Sequence, residues 1–168
     1  MSPVLVNVLI VIATFVGMEC VAWLAHKYLM HGLFWFLHHD HHQREDGDFF
    51  EKNDFFFLIF ATPGILCLFV GLQNDFNALF WIGTGITLYG MAYFLVHDIF
   101  IHQRFKIFRN TESFYLKAIR KAHKVHHKHM GKQDGECFGM LWVSFKYFRE
   151  AKASMNKQKQ ISKSQSRA

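Results

Sequence analysis

The sequence contains three long stretches that are almost free of charge, and these limit the fold more than any other feature. Residues 3–25 carry a single charged side chain, Glu19, whereas residues 55–72 and 76–96 carry none. Each stretch is close to the roughly 20 residues that an α-helix needs to cross the hydrocarbon core of a bilayer. The sequence therefore predicts an all-α integral membrane protein with about three to four transmembrane helices.

The positions of the basic residues predict how these helices are oriented. All 19 Lys and Arg residues lie within 27–52 or 104–167. Because short loops rich in Lys and Arg stay in the cytoplasm, we expect these segments and the C-terminus to be cytoplasmic and the N-terminus to lie outside. The formal net charge of +6 is then explained by topology and by attraction to anionic membrane lipid, and nucleic acid is not expected as a partner.

Ten of the 12 histidines fall into four clusters, in which two spacings are repeated. His26-x4-His31 is followed by His38-x2-His41-His42, and His97-x4-His102 is followed by His123-x2-His126-His127. Neutral imidazole is the commonest metal ligand among side chains, and ten imidazoles suffice for two ions. Because the predicted topology brings all four clusters to one face of the membrane, we expect a cytoplasmic, histidine-rich helical site for two metal ions.

The two spacings differ in how well they suit an α-helix. The x2 spacing followed by a second histidine places three rings about one turn apart on one face. Residues five apart are rotated by about 140°, so both members of an x4 pair can face one site only if the helix unwinds locally. Imidazole ligands suit iron, zinc, copper or nickel, so the spacing leaves the metal open.

Three acidic residues are candidates for supporting the metal ligands. Asp40 and Asp98 stand next to histidines, and either could accept the second ring N–H of an imidazole, with a solvated loop acid as the alternative interpretation. Glu19 lies within a predicted span, where a carboxylate indicates a functional site, with hydrogen bonding between helices as the alternative. His39 and His129 fall outside the repeated pattern and are interpreted as supporting or solvent-facing residues.

Two amphipathic segments are expected in the cytoplasm. One covers residues 111–130. The other covers 138–150 and is interpreted as a helix lying along the membrane interface, with packing against the histidine-rich domain as an equal alternative. The expected membrane domain therefore comprises residues 1–150. Residues 151–168 are expected to form a basic cytoplasmic tail, for which disorder is one interpretation.

Several motifs go beyond generic spacing. They are Gly17-Met18-Glu19, Ala25-His26-Lys27-Tyr28-Leu29-Met30-His31-Gly32, Glu51-x-Asn53-Asp54, Tyr93-Phe94-Leu95-Val96-His97-Asp98 with His102-Gln103-Arg104, and Ala122-His123-x2-His126-His127 with Gly131-Lys132. With these motifs the sequence resembles bacterial carotenoid (β-carotene) 3-hydroxylases over about residues 5–145. That family belongs to the wider membrane fatty-acid hydroxylase and desaturase superfamily. All ten clustered histidines match the metal ligands of the family position by position.

The resemblance implies a non-haem di-iron mono-oxygenase that binds two iron ions. Because zinc also binds imidazole, it is an alternative occupant of the same sites in purified material. It implies that O2 and two electrons from ferredoxin and its reductase place a hydroxyl group on C3 of a β-ionone ring. β-Carotene would give β-cryptoxanthin and then zeaxanthin, and canthaxanthin would give astaxanthin if ketolated rings are accepted. The expected location is the bacterial inner membrane, with an apolar substrate channel between the spans. Phe55 to Phe57, Phe94 and Phe100 are candidate lining residues for this channel, although lipid contact is the favoured interpretation for them.

Two other functions are compatible with the same residues. A fatty-acyl or sterol hydroxylase or desaturase would use the same histidine motifs, although the short chain and the sequence HKYLMHG favour the carotenoid family. A membrane metal-binding or metal-transport protein would be expected to place its ligands near the bilayer midplane. The predicted collection of the histidines at one face argues against transport.

Overall fold

The computed structural model describes residues 1–43, 50–105, 107, 110–133 and 135–165 of the chain. In these residues every regular element is helical, which confirms the all-α prediction. The six α-helices are α1 (Pro3–Leu24), α2 (Trp35–His42), α3 (Phe55–Gln73), α4 (Ala78–Tyr93), α5 (Phe114–His126) and α6 (Phe145–Gln165). α1 and α4 continue as π-helices over Ala25–Leu33, the first π segment, and Phe94–Ile101, the second π segment. A 3-10 turn, Lys52–Asp54, precedes α3.

Three helices among the described residues are long and apolar enough to cross a membrane. They are Pro3–Leu33, Lys52–Gln73 and Ala78–Ile101. The first two include the apolar stretches 3–25 and 55–72, and the third includes residues 78–96 of the stretch 76–96. In their most apolar windows only 6%, 17% and 17% of the residues are buried within the protein. Because most of these apolar side chains point away from the bundle, their environment must be lipid.

Glycines allow the three spanning helices to approach closely. A Cβ atom on Gly83 of α4 would lie 2.7 Å from the backbone nitrogen of Leu68 on α3. A Cβ atom on Gly85 would lie 2.7 Å from the Cβ of Thr14 and 2.9 Å from the carbonyl oxygen of Val11, both on α1. Small residues at such crossings replace hydrophobic burial as the source of helix association in membranes. α4 therefore packs directly against both other spans.

A core of buried residues joins the end of the second π segment to α5 and α6. Ile119 and Ala122 of α5 pack with Tyr147 of α6 and with Met140 and Val143 of the segment before α6. α5 begins after Ser113, whose hydroxyl accepts a hydrogen bond from the N–H of Leu116. The helix is therefore shorter than the expected segment 111–130.

The last helix differs more strongly from the expected 138–150. Residues 138–144 are not helical, and α6 begins only at Phe145 and then runs without a break through position 150 to Gln165. The physical reason is that the N–H groups of Met140, Leu141 and Trp142 all donate to the Glu19 carboxylate. In a helix that began at Phe138, the N–H of Trp142 would donate to the Phe138 carbonyl; here it donates to Glu19, and that carbonyl accepts from His26.

Candidate metal centre

The two π segments solve the geometric problem of the x4 histidine pairs. In a π-helix the backbone hydrogen bond joins residues i and i+5, so side chains five apart lie near one another on one face. The N–H of His102 donates to the carbonyl of His97 at 2.9 Å, a bond of this type between the two members of a pair. His26 and His31 lie within the first π segment, and their ring centroids are 5.1 Å apart. The predicted local unwinding thus takes the form of a wider helix.

The other two clusters lie on ordinary α-helices. His38, His41 and His42 are on α2, and His123 and His126 are in the last turn of α5, followed by His127. Burial is deepest at His38 and His126, whose side chains are almost completely enclosed. The helix ends therefore point their rings into the interior.

The histidines form two adjacent groups, each drawn from three of the four clusters. Within each group the candidate ligand atoms all lie within 4.8 Å of one another. The first group is called carbonyl-backed because most of its ring nitrogens facing away from the centre donate to carbonyl oxygens, and it consists of His26, His31, His38, His42 and His126. The second is called carboxylate-backed because two of its rings contact carboxylates, and it consists of His41, His97, His102 and His123. His127 lies beside both groups, with its ring centroid 4.4 Å from that of His42 and its Nε2 2.8 Å from that of His123.

In the carbonyl-backed group, the Nε2 atoms of His31 and His126 face one another, although neither carries a proton. The Nδ1 of His31 donates to the carbonyl of Met130 at 3.0 Å, and that of His126 donates to the carbonyl of Glu136 at 3.0 Å. Because a carbonyl can only accept, these bonds leave a lone pair on each Nε2 of the neutral rings. The two Nε2 atoms are nevertheless only 3.2 Å apart.

A second pair repeats the arrangement. His26 and His38 place their Nε2 atoms 3.1 Å apart, while their Nδ1 atoms donate to the Phe138 carbonyl at 2.9 Å and the Asn53 side-chain oxygen at 2.6 Å. Converging lone pairs repel unless a cation lies between or beside them. The donor set therefore fits bound metal ions.

Burial keeps the imidazoles in the neutral form that binds metal. Burial, strengthened by neighbouring imidazoles, lowers the pKa of His38 and of His42 to about 2. It lowers the pKa of His126 to about 3 and holds the pKa values of His41 and His123 well below the ordinary value. At neutral pH these rings carry no charge, so each offers a lone pair.

Of the acidic candidates near the clusters, Asp98 contacts a histidine and Asp40 does not do so among the described residues. One Asp98 oxygen lies 3.3 Å from the Nδ1 of His97. Asp40 instead accepts the backbone N–H of Lys52 at 2.6 Å and so holds the start of the 3-10 turn. Glu51, one residue earlier, accepts from the Nδ1 of His41 at 2.7 Å.

Sequence reasoning missed Glu51 and Asn53 as partners of histidines. Both residues belong to a motif that carries the family resemblance, and their position in that motif was the available signal. Their roles depend on the turn at Lys52–Asp54, which folds back onto α2. Of the two histidines outside the pattern, His39 is exposed beside Trp35 and His129 is half-buried, and neither belongs to a group.

Glu19 lies away from the histidines and holds a backbone segment. One oxygen accepts three backbone N–H groups, those of Met140, Leu141 and Trp142, at 2.8, 2.8 and 3.0 Å, and the other accepts the hydroxyl of Tyr89 at 2.7 Å. The alternative interpretation of Glu19, hydrogen bonding between elements, therefore describes its contacts. The segment that it holds begins at Phe138, whose carbonyl orients His26.

A cavity of about 920 Å³ lies between the spanning helices and reaches the histidines. Its wall includes His26 from one group and His97 from the other. The rest is mainly apolar and comes from α1, α3 and α4. Phe55, Phe56, Phe57 and Phe94 are among the lining residues, so the less favoured interpretation of these phenylalanines describes their position. Phe100 instead lies in the buried core, with the guanidinium of Arg120 3.9 Å from its ring centroid.

The fold and the site define a class: an all-α membrane protein in which clustered imidazoles, able to bind metal, border an apolar cavity. The chain belongs to the fatty acid hydroxylase family, whose model matches residues 11–147. A beta-carotene hydroxylase of Pantoea ananas is 43% identical over 137 residues, which are 82% of this chain and 77% of that protein.

Two further relatives show the breadth of the similarity. A beta-carotene hydroxylase of Pseudescherichia vulneris is 41% identical over 139 residues, 83% of this chain and 78% of that protein. A chloroplastic beta-carotene 3-hydroxylase of an Oncidium hybrid cultivar is 44% identical over 115 residues, 67% of this chain and 37% of that protein. No solved structure shows a significant match to the chain.

Proposed function

We propose that this protein is an O2-dependent carotenoid β-ring 3-hydroxylase that converts β-carotene through β-cryptoxanthin to zeaxanthin, with canthaxanthin as a further candidate substrate. The observation that carries the proposal is the position of two adjacent imidazole groups at the wall of an apolar cavity between spanning helices. The bacterial relatives at 41–43% identity, both named beta-carotene hydroxylases, support the choice of substrate.

We infer that the ten clustered histidines hold two iron ions. The fit is supported by the converging lone pairs of His26 and His38 and of His31 and His126. Iron bound there would supply the activation of O2 that hydroxylation of a C–H bond needs, because side chains alone do not perform this redox chemistry. Zinc, which also binds imidazole, would occupy the same residues in purified material.

The walls of the cavity would select and orient the substrate. A carotenoid is already dissolved in hydrocarbon, so entry from the bilayer gains little hydrophobic free energy. Selection must then rest on the close contacts between the ring and the cavity wall, each worth only about 0.1–0.2 kcal/mol per atom pair but numerous. Because the wall contains His26 and His97, a β-ionone ring at the histidine end of the cavity would have its edge beside both histidine groups.

We place the protein in the bacterial inner membrane, with the histidine groups and the C-terminus in the cytoplasm. The distribution of all 19 Lys and Arg residues supports this orientation. Ferredoxin and its reductase are the proposed electron donors. The exposed Lys152, Lys157 and Lys159 of α6 would attract an acidic partner of this kind.

A fatty-acyl or sterol hydroxylase is the second candidate, because the family model that matches the chain is named for fatty acids. The same cavity and the same histidines would serve that reaction. The two candidates differ in the product that accumulates, so one experiment separates them.

The test is expression of the chain in cells that make β-carotene, followed by chromatography of the pigments and of the acyl lipids and sterols. We expect β-cryptoxanthin and zeaxanthin with the wild-type chain. The variant His126→Ala, which removes a fully buried imidazole, should reduce hydroxylated pigment to the background of cells without the chain.

The matched control is His39→Ala, which removes an exposed imidazole outside both groups and should leave pigment conversion near the wild-type level. Hydroxylated lipid without hydroxylated carotenoid would favour the second candidate. Full conversion by the His126→Ala variant would contradict the ligand assignment.

A further inference from the structure

The Nδ1 atoms of the two histidine groups have chemically different hydrogen-bond partners. In the carbonyl-backed group every Nδ1 for which a hydrogen bond is described donates to a neutral oxygen. The acceptors are the carbonyls of Phe138, Met130 and Glu136 and the side-chain amide oxygen of Asn53. None of these acceptors carries a formal charge.

In the carboxylate-backed group the corresponding partners are acidic. The Nδ1 of His41 lies 2.7 Å from an oxygen of Glu51, and that of His97 lies 3.3 Å from an oxygen of Asp98. The side chain of Glu51 is only 5% exposed, and that of His41 only 2%, so the first pair is shielded from water. A carboxylate in this position raises the basicity of the ring and adds negative charge near a bound cation.

Arg104 holds these carboxylates in place. Its Nε lies 3.1 Å from Asp98, and one terminal nitrogen lies 3.4 Å from Glu51 and 2.6 Å from Asp54. The guanidinium side chain is 8% exposed, so these ion pairs are largely shielded from solvent. Among the residues that the structure describes, three carboxylates around one guanidinium give a net negative charge beside the carboxylate-backed group.

We propose that the two histidine groups are unequal metal sites: the carboxylate-backed group binds a divalent cation more tightly than the carbonyl-backed group, and Arg104 is the positioning residue for its carboxylates. The proposal rests on the proposed metal ligation and adds an order of filling to it. Loss of a partner that orients a ligating imidazole typically lowers metal affinity by about 10- to 100-fold. We expect the charge difference between carboxylate and carbonyl partners to separate the two binding steps by about tenfold.

The test is a titration of the purified full-length protein, stripped with a chelator, with Co²⁺ in competition with a coloured chelator. The wild-type protein should bind two ions with dissociation constants that differ at least about tenfold. Glu51→Gln keeps an oxygen in hydrogen-bond reach of His41 but removes the charge, and should weaken the tighter step by about tenfold or more while the weaker step changes little.

Asn53→Asp is the matched reverse variant, because it places a carboxylate behind His38, where the amide oxygen now lies 2.6 Å from the ring. It should strengthen the weaker step and narrow the gap between the two. Asp98→Asn provides a second test of the tighter step if the Glu51 variant does not fold, which circular dichroism would show.

The outcomes separate this proposal from the proposed function. Two ions bound with equal affinity, or a Glu51→Gln variant that weakens both steps equally or neither, would overturn the inequality while leaving a two-metal site. Failure of the wild-type protein to bind any Co²⁺ would overturn both.

Discussion

At the scale of single residues, Glu19 explains how an irregular backbone segment is tolerated beside a spanning helix. Within the hydrocarbon region of a bilayer, a backbone N–H without a partner costs several kcal/mol. The residues Met140 to Trp142 avoid this cost because one carboxylate oxygen accepts all three of their N–H groups. The same carboxylate oxygen leaves no room for a side chain at position 139, since a Cβ atom on Gly139 would lie 2.8 Å from it.

Two replacements of Glu19 should distinguish the effect of its negative charge from the effect of its hydrogen-bond acceptors. Glu19→Leu leaves three N–H groups unpaired, each at a cost of about 1–3 kcal/mol, and should strongly lower the unfolding temperature in detergent. Glu19→Gln keeps one acceptor oxygen, so we expect a folded protein with nearly unchanged metal content and a reduced turnover.

Tyr89→Phe is the control for Glu19, because it removes only the hydroxyl that donates to the other carboxylate oxygen. Its unfolding temperature should fall much less than that of the Leu variant. A Glu19→Leu variant as stable as wild type would show that the segment does not depend on this carboxylate.

At the scale of helices, the π segments and the glycine contacts have separate tasks. The π segments turn His26, His31, His97 and His102 toward one interior, a placement that an ideal α-helix denies to residues five apart. The glycines set the distance between the helices that carry those segments. Because α4 touches α1 at Gly85, the separation of the two π segments depends on this crossing.

The matched pair Gly85→Ala and Gly17→Ala tests the crossing. An added Cβ at Gly85 would meet the Val11 carbonyl at 2.9 Å and should destabilise the protein by about 1–3 kcal/mol. At Gly17 nothing lies within 4 Å, so alanine should be neutral or stabilising through its better helix propensity. Thermal unfolding in detergent measures both, and equal midpoints for the two variants would refute a close α1–α4 contact.

At the scale of the whole molecule, the arrangement of three spans joins a lipid-facing surface to a histidine-lined interior. Each span contributes to the cavity, and Asn53 and Asp54 of the 3-10 turn are also among its lining residues. An apolar ligand in this cavity therefore lies beside the histidines. The cavity volume of about 920 Å³ lies within the range of about 300–1,000 Å³ common for ligand sites.

Filling the cavity should block the substrate without disturbing the histidines. Gly90 lines the cavity, and an added Cβ there meets nothing within 4 Å, so Gly90→Phe has room to project its ring into the space. We expect the yield of hydroxylated carotenoid to fall more than about tenfold with Co²⁺ binding unchanged, because the added ring prevents the substrate from contacting the cavity wall.

Gly17→Phe adds the same ring to an exposed position of α1 and should leave both quantities near wild type. Undiminished hydroxylation by the Gly90→Phe variant would mean that the substrate does not use this cavity.

The sequence by itself determined the spanning helices and the type of site. Uncharged stretches of about 20 residues admit few structures other than membrane helices, and that rule acts on local composition. The four histidine clusters and the need for unwinding at the x4 pairs were equally visible, because helical period is a local property. The all-α membrane fold could therefore be predicted before any contact was known.

Only the tertiary structure decided which imidazoles share a group and which residues support them. The α2 triplet is divided, with His38 and His42 in one group and His41 in the other. His26 is oriented by a carbonyl 112 residues away, and Glu19 holds N–H groups more than 120 residues away. Such pairings follow from the way the helices pack in space, so local propensity and spacing contain no information about them.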